Sequence, residues 1–390
     1  MIKLLIALLA VGLMVIGLPI IIGEAQTPSQ CFTTPDNTWR FCGNWEQLAT
    51  ATPVPPTATL IPPTATNTVP PATATLLPPT ATSAPATITP VPTPTPAPCG
   101  TSLQSRINAA AASSTLDLGG CSYNGTATID KALTIKNARL ITNTPSNRYS
   151  VTLAINSDNV TVENMDFVGG GMVISAANRK NIKILDSTFG LQIGSAIAIW
   201  DNSQQVLIQG NTIVQTGTDR VSPIMIRGKD DCSTRSRDIS VIGNIVNQGR
   251  GDIGWFGLEA VCLVNGLIEA NNFRGGWTLA SFPKSTNLTI RNNFFDSRDG
   301  NYWALELAQT ADVLVTNNFF TGEGTHYGTA VAMNSGPLRT TVQNNQIENM
   351  RSFVDLAGDR VTITDNCLLN VANVTRYSAT NVTLARNGAC

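Results

Sequence analysis

Two glutamates stand at matching places in short alternations of apolar and polar residues: Glu259 in "GLEAVC" and Glu306 in "WALELA". In an extended strand, successive side chains point to opposite faces. Leu258 and Ala260, and likewise Leu305 and Leu307, then face one way while the two carboxylates face the other. Carboxyl groups about 6.5–9.5 Å apart can act as general acid and general base around one water in the hydrolysis of a glycosidic bond. Asp355 in "FVDLAG" holds the same place further along, and Arg227 closes the earlier alternation "PIMIRG".

Other chemistry-bearing residues flank these alternations. The segment "RGKDDCSTRSRD" (227–238) carries Arg227, Lys229, Asp230 and Asp231. Elimination at a uronate needs a base for the α-proton and positive charge on the sugar carboxylate, and these residue types would supply them. Asp230 and Asp231 are the weak candidates for a Ca²⁺ site. No cofactor motif is evident, and the CxxC spacing of zinc ligands is absent. The segments entering the alternations hold Trp255 and Phe256, Tyr302 and Trp303, and His326 and Tyr327. Aromatic faces of this kind stack on sugar rings.

The elements that would carry these residues follow from a repeat. The pattern x-φ-x-φ-x-x-Asn-x-φ, with φ apolar, begins at 205 ("QVLIQGNTI"), 238, 265, 287 ("NLTIRNNFF"), 312 ("DVLVTNNFF"), 339, 360 and 381. Earlier members at 132, 159 and 181 lack the asparagine. Successive starts lie 21–33 residues apart, which is the signature of a solenoid. The second half of each unit alternates with period two, so each unit is read as short strands joined by tight turns and stacked in parallel. Inward positions are then Ile197, Ile199, Ile224, Ile226, Leu258, Ala260, Leu305, Leu307, Val331 and Met333. The outward row reads Ala198, Met225, Glu259, Ala280, Glu306, Ala332 and Asp355, with Arg227 also outward.

These units resemble the right-handed parallel β-helix of the pectate-lyase-like superfamily, over roughly residues 99–390. The fold expected is therefore all-β, a right-handed parallel β-helix solenoid. "CGTSLQSRINAAAASSTLDLGGCSYNG" looks like the family's N-terminal cap, a short helix with Leu103 and Ile107 inward and Thr101 or Ser102 as its N-cap. The repeated asparagines, Asn211 to Asn387, would form an asparagine ladder at one corner, where the residue must tolerate a left-handed backbone. The phenylalanine two residues later would point inward and stack. The resemblance implies sites on the outer face of one sheet and its loops. It does not extend to catalytic signatures: of the polygalacturonase-like set only an Asp-Asp occurs, and the single histidine stands in "GTHYG".

The rest of the chain reads as a delivery system. Residues 1–25 are one lysine followed by a long apolar run, either a cleaved signal peptide or an uncleaved anchor. Both place the remainder outside the cytoplasm, extracellular or at the cell surface. Residues 26–49 form a short cysteine-closed segment, and 50–98 a Pro/Thr-rich linker that cannot build a core and favours extended polyproline II. The eight cysteines are expected to pair locally: Cys31 with Cys42, Cys99 with Cys121, Cys232 with Cys262, and Cys367 with Cys390. Charged residues are 13% and the net charge is −1, with no basic stripe, so nucleic acid is not an expected partner. The expected partner is extracellular polysaccharide, bound by a monomer and open to cleavage by a lyase or glycoside hydrolase chemistry. The competing reading is a noncatalytic adhesin or structural rod.

Overall fold

The computed structural model describes residues 32–33, 39–41, 45–47 and 99–390, apart from 144–146, 215–220, 249–255, 299–302, 324–327, 334, 372 and 390. The chain divides into two compact units, 1–81 and 82–390. In the first, the strands Phe32–Thr33, Trp39–Phe41 and Trp45–Gln47 pair antiparallel. The expected Cys31–Cys42 disulfide, the apolar N-terminal run and the Pro/Thr-rich stretch lie outside the described residues.

The second unit is a parallel β-helix. One coil runs through Phe256–Val261, Val264–Glu269 and Asn272–Arg274, and the next opens at Thr278–Ser281. Each of these strands pairs in parallel with its counterparts one coil before and after. Three sheets result, named here first, second and third in coil order. The inward residues expected from the alternation are all buried, and one continuous core runs from Leu103 to Ile363. Several coils enter the first sheet with two successive buried residues, such as Ala304 and Leu305 or Ala330 and Val331. Strict alternation breaks there.

The start of the solenoid is covered as expected. The helix Leu103–Ala109 buries Leu103 and Ile107, and Ser102 caps it by accepting a bond from the Ser105 N–H at 3.2 Å. Gln104 completes the cover. Its amide nitrogen donates to the Thr128 carbonyl at 3.1 Å and its oxygen accepts from the Thr128 N–H at 2.7 Å, so the side chain satisfies one residue of the first strand edge. The Cys99–Cys121 disulfide ties this cap to the following strand.

The asparagine ladder forms at the turn between the second and third sheets. From Asn211 through Asn244, Asn271, Asn293, Asn318, Asn345 and Asn366 to Asn387, each Nδ2 donates to the next Oδ1 at 2.8–3.0 Å. The same Oδ1 also accepts the backbone N–H of the preceding asparagine. The second amide hydrogen goes to a carbonyl of the previous coil, as from Asn293 to Ile268 at 2.9 Å. A buried amide so placed leaves no donor or acceptor unsatisfied. Two residues on, Phe273, Phe295 and Phe320 stack inside with centroids 5.4 and 4.8 Å apart.

One expectation needs correction. The ladder asparagines are not the left-handed residues. Those are the residues just before them: Gly210, Gly243, Ala270, Asn292, Asn317, Asn344, Asp365 and Arg386, with φ between 50° and 67°. Two separate demands meet in each Asn-Asn pair. The first asparagine tolerates the left-handed turn, and the second supplies an amide that bonds both up and down the stack. Asn293→Ala should therefore cost about 3 kcal/mol, because it strands buried groups on Asn271 and Asn318. Asn292→Ala should cost about 1 kcal/mol, for backbone conformation alone, and Asn292→Gly still less. Denaturant unfolding midpoints of the three variants check this ranking.

Candidate functional site

The register of the first sheet decides which side chains share its outer face. Through successive coils the pairing runs Ser175, Ala198, Met225, Glu259, Ser281, Glu306, Ala332, Asp355 and Thr375. Glu259, Glu306 and Asp355 thus do share one row, as the alternation implied. The residue between the two glutamates is Ser281, not Ala280. Ala280 pairs with Leu258 and Leu305 and belongs to the core. Counting by alternation misplaced it by one residue because "WTLASF" carries two hydroxyl residues, Thr278 and Ser281, an odd three residues apart, which no single alternation can put on one face.

Each carboxylate in the row is held by a hydroxyl. Ser281 Oγ, fully buried, donates to Glu306 Oε2 at 2.6 Å. Thr329 Oγ1 donates to Asp355 Oδ2 at 2.9 Å, and Ser222 Oγ to Glu259 Oε2 at 3.3 Å. Glu259 and Glu306 are two coils apart, about 9.6 Å along the stack at ~4.8 Å per strand. Their environments differ. Only 14% of the Glu259 side chain is exposed, and burial pushes its carboxyl above the ordinary glutamate value, with nearby Asp230 and Glu306 adding to the effect. Arg227, with Nη1 at 3.8 Å, and the Ser222 hydroxyl pull the other way.

The 227–238 segment stands at the exit of the strand Ile224–Arg227 and is tightly tethered. Cys232 is bonded to Cys262, just beyond the strand that carries Glu259. Lys284 Nζ donates to the Asp230 carbonyl at 2.6 Å, the Lys229 N–H donates to Thr234 Oγ1, and Ser236 Oγ donates to the Asp201 carbonyl. A Cβ at Gly228 would sit 2.2 Å from the Thr234 carbonyl oxygen, so only glycine lets the segment fold back. Arg227 Nη2 donates to Asp230 Oδ1 at 2.9 Å. Asp231 accepts from the Ser233 N–H at 2.9 Å. Among the described residues no three His, Cys, Asp or Glu side chains converge as a metal site.

Of the aromatic candidates, Trp255, Tyr302, His326 and Tyr327 lie outside the described residues. Trp303 is half-buried, stands outside the apolar core and pairs with Thr278 and Thr329 beside the row. Two aromatics not singled out from sequence are better exposed: Trp277, immediately before Thr278, and Tyr149. Tyr149 lies within electrostatic reach of Arg227 and carries the Arg148 guanidinium over its ring at 5.1 Å. Met172, Ala198 and Met225 form a small apolar cluster with Val151 and Trp200 apart from the main core. The outward row is therefore covered before Glu259 and carries its carboxylates from Glu259 onward. A cavity of about 410 Å³ near the other end is lined by Phe353, Leu368, Leu384 and Asn387, residues of the last coils rather than of this row. Cys367 is disulfide-bonded, while its expected partner Cys390 lies outside the described residues.

No protein-family model and no curated protein sequence matches the chain. Solved structures do. The surface adhesin PfbA of Streptococcus pneumoniae is 11% identical, with 73% of this chain and 87% of that one aligned at a TM-score of 0.52. The catalytic domain of a GH87 alpha-1,3-glucanase in complex with tetrasaccharides is 12% identical, over 68% of this chain and 56% of that one, at a TM-score of 0.52. The GH136 lacto-N-biosidase from Eubacterium ramulus is 11% identical, over 72% and 61%, at a TM-score of 0.50. At such identities the likeness is one of fold alone, the parallel β-helix.

The burial of Glu259 makes a prediction about stability. A carboxyl whose proton affinity is higher folded than unfolded favours the folded state below its unfolded value, near 4.5. That contribution is lost as pH rises through the higher folded value. Glu259→Gln should then melt close to the parent protein at pH 4 and progressively above it toward pH 8. Parallel thermal unfolding curves across that range measure the gap.

Proposed function

We propose that residues 99–390 form an exported domain, displayed on the 50–98 stalk, that binds extracellular polysaccharide along the outer face of the first sheet. The observation that carries this reading is the in-register row Glu259, Ser281, Glu306, Ala332, Asp355, with one carboxylate oriented by a hydroxyl in three of its coils. Carboxylates in a row accept hydrogen bonds from sugar hydroxyls, and Trp277 and Trp303 beside them supply ring faces. The descriptions of the structural neighbours, an adhesin and two carbohydrate-active enzymes, support carbohydrate as the partner. Disulfides within the folded unit fit a compartment outside the cytoplasm.

Hydrolysis is a second reading, favoured by the burial of Glu259, which resists its ionisation. A carboxyl that keeps its proton can donate it to the leaving glycosidic oxygen. The second carboxylate, two coils away, would take a proton from the water that attacks the anomeric carbon from the opposite face. The ~9.6 Å between their strands is just past the roughly 6.5–9.5 Å carboxyl spacing that leaves room for that water, so the side chains need lean only slightly together, and it is well beyond the spacing for a covalent glycosyl intermediate. Arg227 and Lys229 would serve elimination instead if the sugar is a uronate.

The test takes the full-length oxidised protein to neutral and uronate polysaccharides and follows retention, new reducing ends and unsaturated products. Retention that drops at least about tenfold in Trp277→Ala is expected. Cleavage with reducing ends should fall by about 10²-fold or more in both Glu259→Gln and Glu306→Gln, with retention kept. Unsaturated product would move the chemistry to the 227–231 segment. Retention without cleavage would leave a binding module, and the absence of both would leave the structural rod.

A further inference from the structure

The tethered 227–238 segment does more than fill a long coil. Arg227 faces two carboxylates. It is hydrogen-bonded to Asp230 at 2.9 Å but stands 3.8 Å from Glu259. Asp230 is mostly exposed, with 78% of its side chain accessible, so besides its bond to Arg227 it is held in place by the tethers of its segment. Those tethers are the Cys232–Cys262 disulfide and the Lys284 bond to the Asp230 carbonyl. The groups facing Glu259 are Arg227 and Ser222 from the preceding coil, Asp230 from the segment, and Glu306 across Ser281; Tyr149 acts on Arg227 and Lys284 on Asp230.

We propose that Asp230 is a positioning residue for Glu259: the disulfide-stapled segment holds Asp230 where it draws the Arg227 guanidinium off Glu259, leaving that buried carboxyl without a close cation. The physical basis is competition for one cation. An arginine that turned fully onto Glu259 would form a close ion pair and hold that carboxyl ionised. Sharing it with an exposed aspartate, which stays ionised against Arg227, leaves the buried glutamate with only a distant partner. The staple joins the exit of the strand carrying Arg227 to the exit of the strand carrying Glu259, so the distance between the three groups depends on it. Opening the disulfide frees Asp230 to leave, and Arg227 to close on Glu259. The inference rests on the acid role given above to Glu259, but its test does not need activity.

The carboxyl carbon of Glu259 would be titrated by ¹³C NMR in the full chain, with its resonance assigned from Glu259→Gln. Asp230→Asn should lower the midpoint by about one pH unit, a tenfold change in proton affinity. The double variant Cys232→Ser/Cys262→Ser should lower it in the same direction. Arg227→Gln should raise it. Repeating Asp230→Asn in the Arg227→Gln background separates the two ways Asp230 can act: loss of its own charge lowers the midpoint in either background, whereas positioning of Arg227 requires the shift to shrink severalfold once Arg227 is gone. An unchanged or raised midpoint in Asp230→Asn overturns the proposal, and that single exposed substitution suffices if the disulfide variant fails to fold. Should the midpoints move as expected while no polysaccharide is cleaved, the positioning stands and the hydrolytic reading falls.

Discussion

Register between coils is the constraint on which the rest of this protein depends, and the buried asparagine amide is what fixes it. Each amide spends both hydrogens and its oxygen on neighbours above and below. A coil displaced by one residue would break those bonds and leave the amide unsatisfied in the interior, at a cost of about 1–3 kcal/mol per orphaned group. The same slip would turn every side chain of that coil to the other face. Glu306 would then enter the core and Leu305 would leave it. The ladder lies at a different corner from the carboxylate row, yet the row exists only because the ladder holds.

Above that frame, the outer face of the first sheet is built from small residues and hydroxyls so that carboxylates can be accommodated at a ~4.8 Å repeat. Like charges in adjacent coils would repel. Here Ser281 separates Glu259 from Glu306, and Ala332 separates Glu306 from Asp355. Hydroxyls on Ser222, Ser281 and Thr329 then fix the orientation of each carboxylate without adding charge. Burial acts further on Glu259, which lies next to the covered end of the row and beside the stapled segment, and resists its ionisation.

Much of the irregularity among the described residues falls at the corners, with a register shift also between Ser352 and Asp355 in the first sheet. The longest repeat, 33 residues, contains the 227–238 segment, and its extra length is folded onto the neighbouring coils by a disulfide, a glycine and several side-chain bonds. Elsewhere the turns into the second and third sheets each need a left-handed residue, taken mostly by Asn, Asp or Gly. Exposed asparagine pairs such as Asn265 with Asn287, and ion pairs such as Arg291 with Glu269, run up the outside of the same corners. Being solvated, those ion pairs contribute little each.

Sequence alone determined the solenoid, its inward residues, the ladder and its stacked phenylalanines, because each recurs at a fixed period and a period is visible in one dimension; the cap helix was legible from its own apolar spacing and N-cap. It also placed Glu259, Glu306 and Asp355 in one row, since all three stand in strands with clear apolar neighbours. What it could not fix was phase where two polar residues stand an odd number apart, so with Thr278 and Ser281 in conflict Ser281 was passed over for Ala280. Nor could it separate the left-handed asparagine from the ladder asparagine beside it, because both demands select the same residue type. The hydroxyl partners, the place of Tyr149 and Trp277 at the row, and the sharing of Arg227 between Asp230 and Glu259 were decided only by tertiary structure. Those depend on which coil lies over which, and on burial, and neither is written in the spacing of residues along the chain.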